Sequence, residues 1–345
     1  MDYSIYKNKT VMVTGCCGFK GSWLVYWLKT LGANVIQVGH LPETTPDHFH
    51  LLGGKVEDIA LVDLGCYDEN TNLLADILKY HKVDIVFHLA AHAIVSKTFK
   101  DPAEAISNNT MAALSVLEAC RQSPVKGVVL ITTDKVYQDK NWIWGYREVD
   151  ELGGLDPYST SKVCIEHIVE CYRQSFSGNI AVARAGNVIG GGDWSLNRLI
   201  PDLIKAAVRG ETVFIHTPSA TRPWQHVLDA LNGYLLLGKE VMLSKDVNTS
   251  WNFGPSTEVP VGQILLWAQS EWKNIVWEVD NQPTHEHMVR LLKIDSTKAH
   301  KLGWEPRWSI ETAVRRTIAW YRAYYEQGIV VTGIDLQVYK QPTGL

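Results

Sequence analysis

The chain has 345 residues, of which 46% are hydrophobic, and a formal net charge of −4 at pH 7. This length can bury one large core or two smaller ones, and the acidic balance without a basic run excludes a general nucleic-acid binder. No apolar run reaches the roughly 18–20 residues that cross a bilayer, and the N-terminal residues lack the apolar core of a signal peptide, so we expect a cytoplasmic protein without a membrane partner.

Strands and helices alternate along the first half of the chain. Short apolar runs predict buried parallel strands, and apolar residues at helical spacing predict the helices between them. The predicted strands are 9–15, 34–39, 59–64, 83–91, 127–133 and 180–190, and the predicted helices are 22–32, 69–81, 101–122 and 158–176. This alternation implies right-handed crossovers, so we predict an α/β Rossmann fold with a doubly wound parallel sheet.

The alternation ends after roughly residue 190, where helical segments follow one another between loops that contain Pro and Gly. These predicted helices are 198–210, 261–272 and 310–328. We therefore expect a Rossmann domain over residues 1–187 and a smaller, mainly helical C-terminal substrate-binding lobe over residues 188–345, of which some segments cross back to the sheet.

Gly15, Gly18 and Gly21 lie between the first predicted strand and the first predicted helix. Backbone N–H groups and the helix dipole meet an anion at such a junction, and glycines let a pyrophosphate approach the backbone. The spacing differs from the GxGxxG of dehydrogenases, and the alternative is an ordinary glycine-rich turn. We interpret the segment as a dinucleotide-binding loop, in which Cys16 and Cys17 are small side chains or, as the minor alternative, a redox pair.

The choice between NAD and NADP stays open on the residues alone. The second predicted strand ends in Gly39 and His40, with neither an acid for the ribose hydroxyls of NAD nor an arginine for the extra phosphate of NADP. Asp63 closes the third strand and could accept a hydrogen bond from the adenine amine. Its alternative role is that of a helix cap or a solvated loop acid.

Tyr158 and Lys162 are four residues apart, on one face of the helix predicted after strand 127–133. A lysine ammonium beside a phenol stabilises the phenolate, which can take the proton of a hydroxyl while its carbon gives up hydride to a nicotinamide. The pattern recurs at Tyr3 and Lys7, but that copy precedes the first strand. Tyr158 lies near the carboxyl edge of the sheet, where ligands bind, so position selects it.

Thr133, Asp134 and Lys135 follow directly at the end of the same strand. The Thr133 hydroxyl can hydrogen-bond the substrate oxygen on which Tyr158 acts. An oxidoreductase or an epimerase needs no ionisable pair next to it, whereas an enzyme that eliminates water needs a base for the proton beside a ketone and an acid for the departing hydroxyl. The pair therefore favours a dehydratase, and the alternative is a turn with a surface ion pair.

A metal site is the weaker interpretation of the histidines. His285 and His287 are two residues apart, and the sequence signals no third ligand. We therefore expect no metal.

Longer motifs span about residues 8–325 and read TGCCGFKGSW, TTDKVY, NWIWGYRE, GGLDPYSTSK, RAGNVIGGGDW, RPWQHV, GYLLL, WNFGP and LGWEPRW. They resemble the extended short-chain dehydrogenase/reductase superfamily and, within it, the CDP-glucose 4,6-dehydratases of deoxysugar biosynthesis. The Asp-Lys pair is informative, because the similar dTDP-glucose and GDP-mannose dehydratases carry Asp-Glu or Ser-Glu there. The resemblance implies a lyase that binds NAD, which is reduced and reoxidised within one turnover.

The resemblance also implies roles for the catalytic residues. Tyr158 would be the base for oxidation at carbon 4, with Lys162 and Thr133 in support. Asp134 would help the carbon-6 hydroxyl to leave, and Lys135 would take the carbon-5 proton before the hydride returns to carbon 6. A lysine in that role must be partly neutral, so it needs burial or a cationic neighbour.

Binding residues follow from the same resemblance. Those for the cofactor are Gly15, Gly18, Phe19, Lys20, Gly21, Asp63, Leu64, Leu89, Ala90, Ala91, Asn109, Tyr158 and Lys162. Those for the nucleotide sugar are Asn187, Arg198, Arg222, His226 and Glu286. Among these, Asn187 and Arg222 match positions that hold the diphosphate, for which an arginine is well suited.

The resemblance finally implies a homodimer that pairs through two helices of each subunit, the ones that contain residues 112–121 and 161–172. Ile165, Ile168, Val169 and Tyr172 form an apolar stripe that suits such an interface, although the same stripe could be core.

Our leading interpretation is conversion of CDP-glucose to CDP-4-keto-6-deoxyglucose and water. The loop 90–99 departs from the family pattern, with His92 for the usual Gln and Ser96 for the usual Arg, so the exact sugar and nucleotide stay open. The alternatives are a dehydratase for another nucleotide sugar, a nucleotide-sugar epimerase or dehydrogenase, and a non-catalytic dinucleotide-binding regulator. A regulator would not require the set of Thr133, Tyr158 and Lys162.

Overall fold

The computed structural model describes residues 2–176, 178–243, 246–255, 257–280 and 293–341. The chain divides into two compact units, and segments cross between them in both directions. The first unit comprises Met1–Gln138, Glu148–Ala185 and Leu231–Asn252, and the second comprises Asp139–Arg147, Gly186–Ala230 and Phe253–Leu345.

The elements of the described residues are these. The strands are β1 (Thr10–Thr14), β2 (Asn34–Gly39), β3 (Ile59–Leu61), β4 (Ile85–His88), β5 (Gly127–Ile131), β6 (Ile180–Ala185), β7 (Val188–Ile189), β8 (Thr212–Ile215), β9 (Thr221–Arg222), β10 (Gln225–His226), β11 (Ser250–Phe253), β12 (Val259–Pro260) and β13 (Val276–Val279). The helices are α1 (Phe19–Thr30), α2 (His48–Leu51), α3 (Tyr67–Tyr80), α4 (Val95–Thr98), α5 (Pro102–Arg121), α6 (Pro157–Ser175), α7 (Leu199–Arg209), α8 (Val227–Leu243), α9 (Val261–Glu271), α10 (Thr297–Lys301), α11 (Ile310–Gln327) and α12 (Thr332–Lys340).

A seven-stranded sheet forms the centre of the first unit, in the order β11-β6-β5-β4-β1-β2-β3. The pairings from β3 to β6 are all parallel. Strands β4, β5 and β6 are buried along their whole length, as expected for parallel strands that helices cover on both faces. The predicted Rossmann fold is confirmed, and the strand order reverses between β1 and β4, which creates the crevice where such sheets bind ligands.

A hydrophobic core of this unit lies between the sheet and helices α3, α5 and α6. Ile165 and Val169 of the predicted dimer stripe belong to this core, and Ile168 and Tyr172 pack against it. The Tyr172 hydroxyl also donates to the Glu118 carboxylate at 3.0 Å, which ties α6 to α5. Ile165 and Val169 are therefore core residues of the chain itself, which was the alternative to an interface role.

Several elements differ from the predicted ones, and two of these differences concern the segments next to the central sheet. The predicted strand 180–190 is interrupted, because β6 ends at Ala185 and β7 pairs with β10 in the second unit. Helix α8 was not predicted, because its sequence is apolar around most of its circumference and shows no helical period. Its Gly238 lies against Phe87 and Tyr6, where a Cβ would meet both rings, so α8 packs closely on the sheet.

The second unit contains α7, α9, α10, α11 and α12 together with three two-stranded sheets. Helix α11 holds it together with an aromatic cluster in which the Trp194 ring contacts those of Trp320, Tyr321 and Tyr324 at 5.5–5.7 Å between centroids. Across the described ranges, none of the helices combines the length and the apolar composition that crossing a bilayer requires. The same ranges contain no cluster of three His, Cys, Asp or Glu that could hold a metal, and His285 and His287 lie outside them.

Candidate active site

Gly15 and Gly18 lie in the loop between β1 and α1, and Gly21 lies in the first turn of α1. Two of these glycines, Gly15 and Gly21, accept no side chain. Gly15 has a φ of +67°, and a Cβ there would lie 2.7 Å from the backbone nitrogen of Ala90. A Cβ on Gly21 would overlap the carbonyl oxygen of Gly15. Gly18 is the N-cap of α1, so no capping side chain competes with an anion for the N–H groups of the first turn. The residues present therefore fit the pyrophosphate of a dinucleotide.

Replacing Gly21 with Ala should weaken both the fold and the binding of NAD. The new methyl group meets backbone atoms that cannot move away cheaply, so we expect a loss of at least about 3 kcal/mol in the free energy of unfolding and at least roughly tenfold weaker NAD binding. Urea unfolding and an NAD titration measure the two effects. Gly18→Ala is the control for the fold, because its Cβ would stay 3.4 Å from the Gly15 oxygen. Equal destabilisation of the two variants would contradict this account.

Thr14 joins the carboxyl ends of β1 and β4 beside the glycine loop. Its hydroxyl lies 2.8 Å from Nδ1 of His88, and the N–H of Ala90 donates to the same hydroxyl at 3.2 Å. The N–H of Leu89 donates to the Thr14 carbonyl at 3.2 Å. Burial lowers the pKa of His88 to about 3, so its ring is neutral. These bonds hold Leu89 and Ala90, and with them the following Ala91, next to the loop.

The side chain of Asn109 hydrogen-bonds two separate segments of the chain. Its Oδ1 accepts from the N–H of His92 at 2.7 Å, and its Nδ2 donates to the His92 carbonyl at 3.3 Å and to the Ser161 hydroxyl at 2.9 Å. The Ser161 hydroxyl donates in turn to the carbonyl of Tyr158 at 2.7 Å. Asn109, predicted as a cofactor residue, therefore positions the segment after β4 relative to the first turn of α6.

Asp63 and Leu64 lie in the turn that follows β3. The Asp63 carboxylate accepts the N–H of Gly65 at 3.0 Å, and the Leu64 carbonyl accepts the Ser115 hydroxyl at 3.0 Å. Asp63 is exposed, so its carboxylate stabilises a surface turn and still faces solvent. Its contact with an adenine stays a prediction.

Phe19 and Lys20 begin α1, and Lys20 reaches a tyrosine of α8. Its Nζ donates to the hydroxyl of Tyr234 at 3.4 Å. Burial, and then the proximity of Tyr158 and Asp134, raises the pKa of Tyr234 far above its ordinary value, so Tyr234 is a neutral phenol near both of them. The sequence predictions assign Tyr234 no role, and its only signal was the motif GYLLL.

The start of α6 fixes the position of Tyr158. The Asp156 side chain accepts the N–H of Ser159 at 2.9 Å, and Pro157 is the first helical residue, so both favour a helix that begins there. Tyr158 therefore lies in the first turn, half-buried. Nζ of Lys162, one turn later, lies 6.0 Å from the centre of its ring.

Lys162 is almost completely buried. Its Nζ donates to the carbonyl of Ile131, the last residue of β5, at 3.1 Å. Burial, and then the charge of Lys20, lowers the pKa of Lys162 from 10.5 to about 7. The amino group is therefore held in a fixed position, and its charged form lowers the free energy of unfolding.

Replacing Lys162 with Met should make the cofactor-free protein more stable at acidic pH. The pKa of Lys162 is 10.5 in the unfolded chain and about 7 in the folded chain. The positive charge therefore opposes folding with its full effect below pH 7, and the effect disappears as the pH rises to the unfolded pKa. We expect a gain on the order of a few kcal/mol at pH 6 that shrinks as the pH rises. Urea unfolding at several pH values measures it, with the exposed Lys79→Met as the control. A gain that is independent of pH would contradict the prediction.

Thr133, Asp134 and Lys135 form the turn that follows β5. The side chains of Thr133 and Asp134 are buried, and the Thr133 hydroxyl donates to Oδ1 of Asp134 at 3.0 Å. The N–H of Lys135 donates to the Thr133 hydroxyl at 3.3 Å. The side chain of Lys135 is exposed, so of the two expected conditions, burial or a cationic neighbour, the chain itself does not supply burial. The role of Lys135 as the base stays a prediction.

The first unit thus brings the predicted catalytic residues to the carboxyl edge of its sheet. Thr133–Lys135 follow β5, and Lys162 reaches back from α6 to the end of the same strand. An acid, a hydroxyl and a tyrosine–lysine pair beside a dinucleotide loop can together perform oxidation, proton transfer and elimination.

Three of the predicted substrate residues are half-buried in the second unit, namely Asn187, Arg198 and Arg222. The Arg198 guanidinium lies 3.6 Å from the Asp193 carboxylate. Arg222 lies on β9, and its Nη1 donates to the carbonyl of Thr221 at 2.7 Å. Their contact with a diphosphate stays a prediction.

His226 occupies the interior of the second unit. It is fully buried, with its ring centre 4.6 Å from that of Trp308. Burial, and then the charge of Arg316, lowers the pKa of His226 to about 3, so the ring is neutral. This placement fits a structural role for His226, and its contact with a nucleotide sugar stays a prediction. Glu286 lies outside the described residues.

Comparisons with known proteins agree with the predicted resemblance. Residues 11–253 match the NAD dependent epimerase/dehydratase family. The CDP-glucose 4,6-dehydratase of Salmonella typhimurium is 36% identical, over 94% of this chain and 93% of that protein. The dTDP-D-glucose 4,6-dehydratase of Dictyostelium discoideum is 23% identical, over 90% and 81%. The crystal structure of UDP-glucose 4-epimerase from Thermotoga maritima with UDP-glucose has a TM-score of 0.77 and 26% identity, over 91% and 98%.

Proposed function

The chain belongs to the NAD dependent epimerase/dehydratase family, and from this premise we propose that it is a nucleotide-sugar 4,6-dehydratase. The observation that carries the proposal is the buried Asp134 with the adjacent Lys135, in a turn next to the strand end that Lys162 contacts. An epimerase or a dehydrogenase leaves this pair without a task. The 36% identical relative is named a dehydratase, which supports the same conclusion.

Residues of the chain carry out the proton transfers of the proposed reaction. NAD, for which the glycine loop provides the binding site, supplies the hydride acceptor and the hydride donor. Tyr158 takes the proton of the carbon-4 hydroxyl, and the charge of Lys162 stabilises the resulting phenolate. Thr133 hydrogen-bonds the same oxygen. With a ketone at carbon 4, the carbon-5 hydrogen becomes acidic.

Elimination is the task of the Asp-Lys pair. Lys135 takes the carbon-5 proton, and Asp134 donates a proton to the departing carbon-6 hydroxyl, so that one water is lost. Carbon 6 then receives the hydride that was removed from carbon 4, and a proton returns to carbon 5, which gives the 4-keto-6-deoxy sugar. Lys135 is exposed in the chain alone, and we infer that the bound sugar covers it. The side chain of Asp134 is already buried.

We propose CDP-glucose as the substrate. The support is the name of the 36% identical relative and the Asp-Lys pair that motif resemblance associates with such enzymes. The proposed contacts of the diphosphate in the second unit are Asn187, Arg198 and Arg222. Each of the two arginines has a guanidinium group, which can donate to two phosphate oxygens at once. Glu286 is retained as a proposed substrate residue on the resemblance alone.

Incubation of the purified protein with CDP-glucose and catalytic NAD tests the proposal. Loss of one water from the sugar nucleotide, without net formation of NADH, is the expected result. The same assay with UDP-, dTDP- and GDP-sugars ranks the nucleotides. An isomer of unchanged mass indicates an epimerase, net NADH a dehydrogenase, and NAD binding without any turnover a regulator.

Two further expectations stay proposals, a homodimer and a cytoplasmic location. With Ile165 and Val169 in the core of the chain, a dimer through α5 and α6 has to use their outward faces. Sedimentation equilibrium gives the oligomeric state, and cell fractionation gives the location.

A further inference from the structure

A buried ion pair connects α6 with β6, close to the proposed catalytic residues. Nε and Nη2 of Arg184 donate to Oε1 and Oε2 of Glu166 at 2.8 and 3.0 Å. The two side chains are only 4% and 3% exposed. Glu166 follows Lys162 by four residues and Tyr158 by eight, so it continues their face of α6. The pair is therefore fixed to the helix that carries the tyrosine and the lysine.

The same pair hydrogen-bonds both ends of the segment that contains Asp134. Before this segment, the Thr132 hydroxyl donates to Oε1 of Glu166 at 2.7 Å. After it, Nη1 of Arg184 donates to the Tyr137 hydroxyl at 2.8 Å. Thr132 and Tyr137 flank residues 133–136, which include the proposed acid and base. One ion pair thus connects α6 to this segment at two points.

A further hydrogen bond comes from a different strand. The Ser250 hydroxyl of β11 donates to Oε2 of Glu166 at 2.8 Å. Both carboxylate oxygens therefore have two donors each. Burial works against the charge of Glu166, but the hydrogen bonds and the charge of Arg184 keep the pKa of Glu166 below its ordinary value. A fully satisfied network of this kind is rigid.

Stability alone is a weak explanation for such a pair. Desolvation cancels most of the attraction in a buried ion pair, and well-packed apolar residues often replace one without loss of stability. Orientation is a better explanation, because catalytic groups lose much of their effect when they are displaced by about 1 Å. The groups that need a fixed mutual position here are carried by two separate elements, the turn after β5 and the start of α6.

We propose that the Glu166–Arg184 pair is a positioning element, which holds Thr133, Asp134 and Lys135 in register with Tyr158 and Lys162. The inference rests on the proposed dehydratase function. Neither member of the pair is assigned a contact with substrate or cofactor, so both act through Thr132 and Tyr137.

Three variants, each of which lacks one side-chain hydroxyl group, test the proposal in the full-length protein with NAD and the sugar nucleotide. Thr132→Val and Tyr137→Phe each remove one hydroxyl that connects the pair to the catalytic segment. Ser250→Ala removes a hydroxyl at the same carboxylate, but on a strand that carries none of the proposed catalytic residues. All three leave the ion pair itself in place, and urea unfolding measures how much stability each variant loses.

The expected result is a separation of activity from stability. Thr132→Val and Tyr137→Phe should lower kcat of dehydration roughly tenfold to a hundredfold with little change in KM, because the groups are misplaced but the binding residues are not. Reduced nicotinamide should accumulate during turnover, since the oxidation at carbon 4, for which Tyr158 takes the proton, precedes the displaced elimination step. Ser250→Ala should keep kcat within about twofold of the wild type at comparable stability.

Two results would overturn the proposal and are distinguishable. If the wild type dehydrates a sugar nucleotide but kcat of Thr132→Val and Tyr137→Phe falls no further than that of Ser250→Ala, the network is structural only. If the wild type loses no water from any sugar nucleotide, the proposed function fails and this inference fails with it.

Discussion

Replacement of Tyr158 with Phe should lower kcat by about 10²–10⁴-fold, the usual contribution of a general base. The phenol lies in the first turn of α6 beside the Lys162 ammonium, with 6.0 Å between Nζ and the ring centre. Without its hydroxyl no proton can leave the carbon-4 hydroxyl, so oxidation fails and no later step occurs. KM should change little, because Phe keeps the ring.

The measurement is single-turnover absorbance of reduced nicotinamide together with mass analysis of the product. Neither reduced cofactor nor dehydrated sugar should form in Tyr158→Phe. The chain offers a matched control at Tyr3, which stands four residues before Lys7 and whose hydroxyl donates to the Asn232 carbonyl at 2.9 Å. Tyr3→Phe should lose about 1 kcal/mol of stability and keep its kcat. If Tyr158→Phe kept more than roughly a tenth of the activity, the base would have to be another residue.

Replacement of Asp134 with Asn or of Lys135 with Met should stop the reaction after oxidation. We expect kcat to fall by about 10²–10⁴-fold in each variant, while reduced nicotinamide forms at close to the wild-type rate. Asn keeps the size of Asp134 and an oxygen that can accept from the Thr133 hydroxyl, so the turn should be preserved. Both variants separate the elimination from the preceding oxidation at carbon 4, for which Tyr158 takes the proton.

The two variants should differ in the exchange of the carbon-5 hydrogen in D₂O. Asp134→Asn keeps the base and should still incorporate deuterium into recovered substrate, whereas Lys135→Met should not. Lys79→Met, an exposed lysine of α3, is the control for a simple loss of charge. Normal water loss in Lys135→Met would remove Lys135 from the mechanism and return the pair to the role of a surface turn.

Much of this architecture could be predicted from the sequence, because the relevant signals are local. The glycine loop, the apolar strands and the Tyr158–Lys162 spacing each lie within one or two elements. The features that the sequence did not reveal depend on contacts between distant segments. Lys20 meets Tyr234 across 214 residues, and Tyr137 donates to Oδ1 of Asn252 across 115.

Two signals were present in the sequence but could not be interpreted there. Glu166 lies four residues after Lys162, yet only the position of Arg184 on the neighbouring β6 shows that the carboxylate is paired and buried. The motif around His226 suggested a substrate contact, but whether a histidine is exposed or buried against Trp308 is decided by the packing of the whole unit. Burial is a property of the fold, and residue spacing does not specify it.

The close approach in the glycine loop limits where an engineer could change the cofactor preference of this enzyme. Gly15 and Gly21 cannot be varied, because the backbone of Ala90 and the Gly15 carbonyl occupy the space that a side chain would need. Residue 40, directly after β2, is free of this restriction, since the side chain of His40 is exposed. A library aimed at NADP therefore belongs at residue 40, where an arginine can meet the extra phosphate without disturbing the loop.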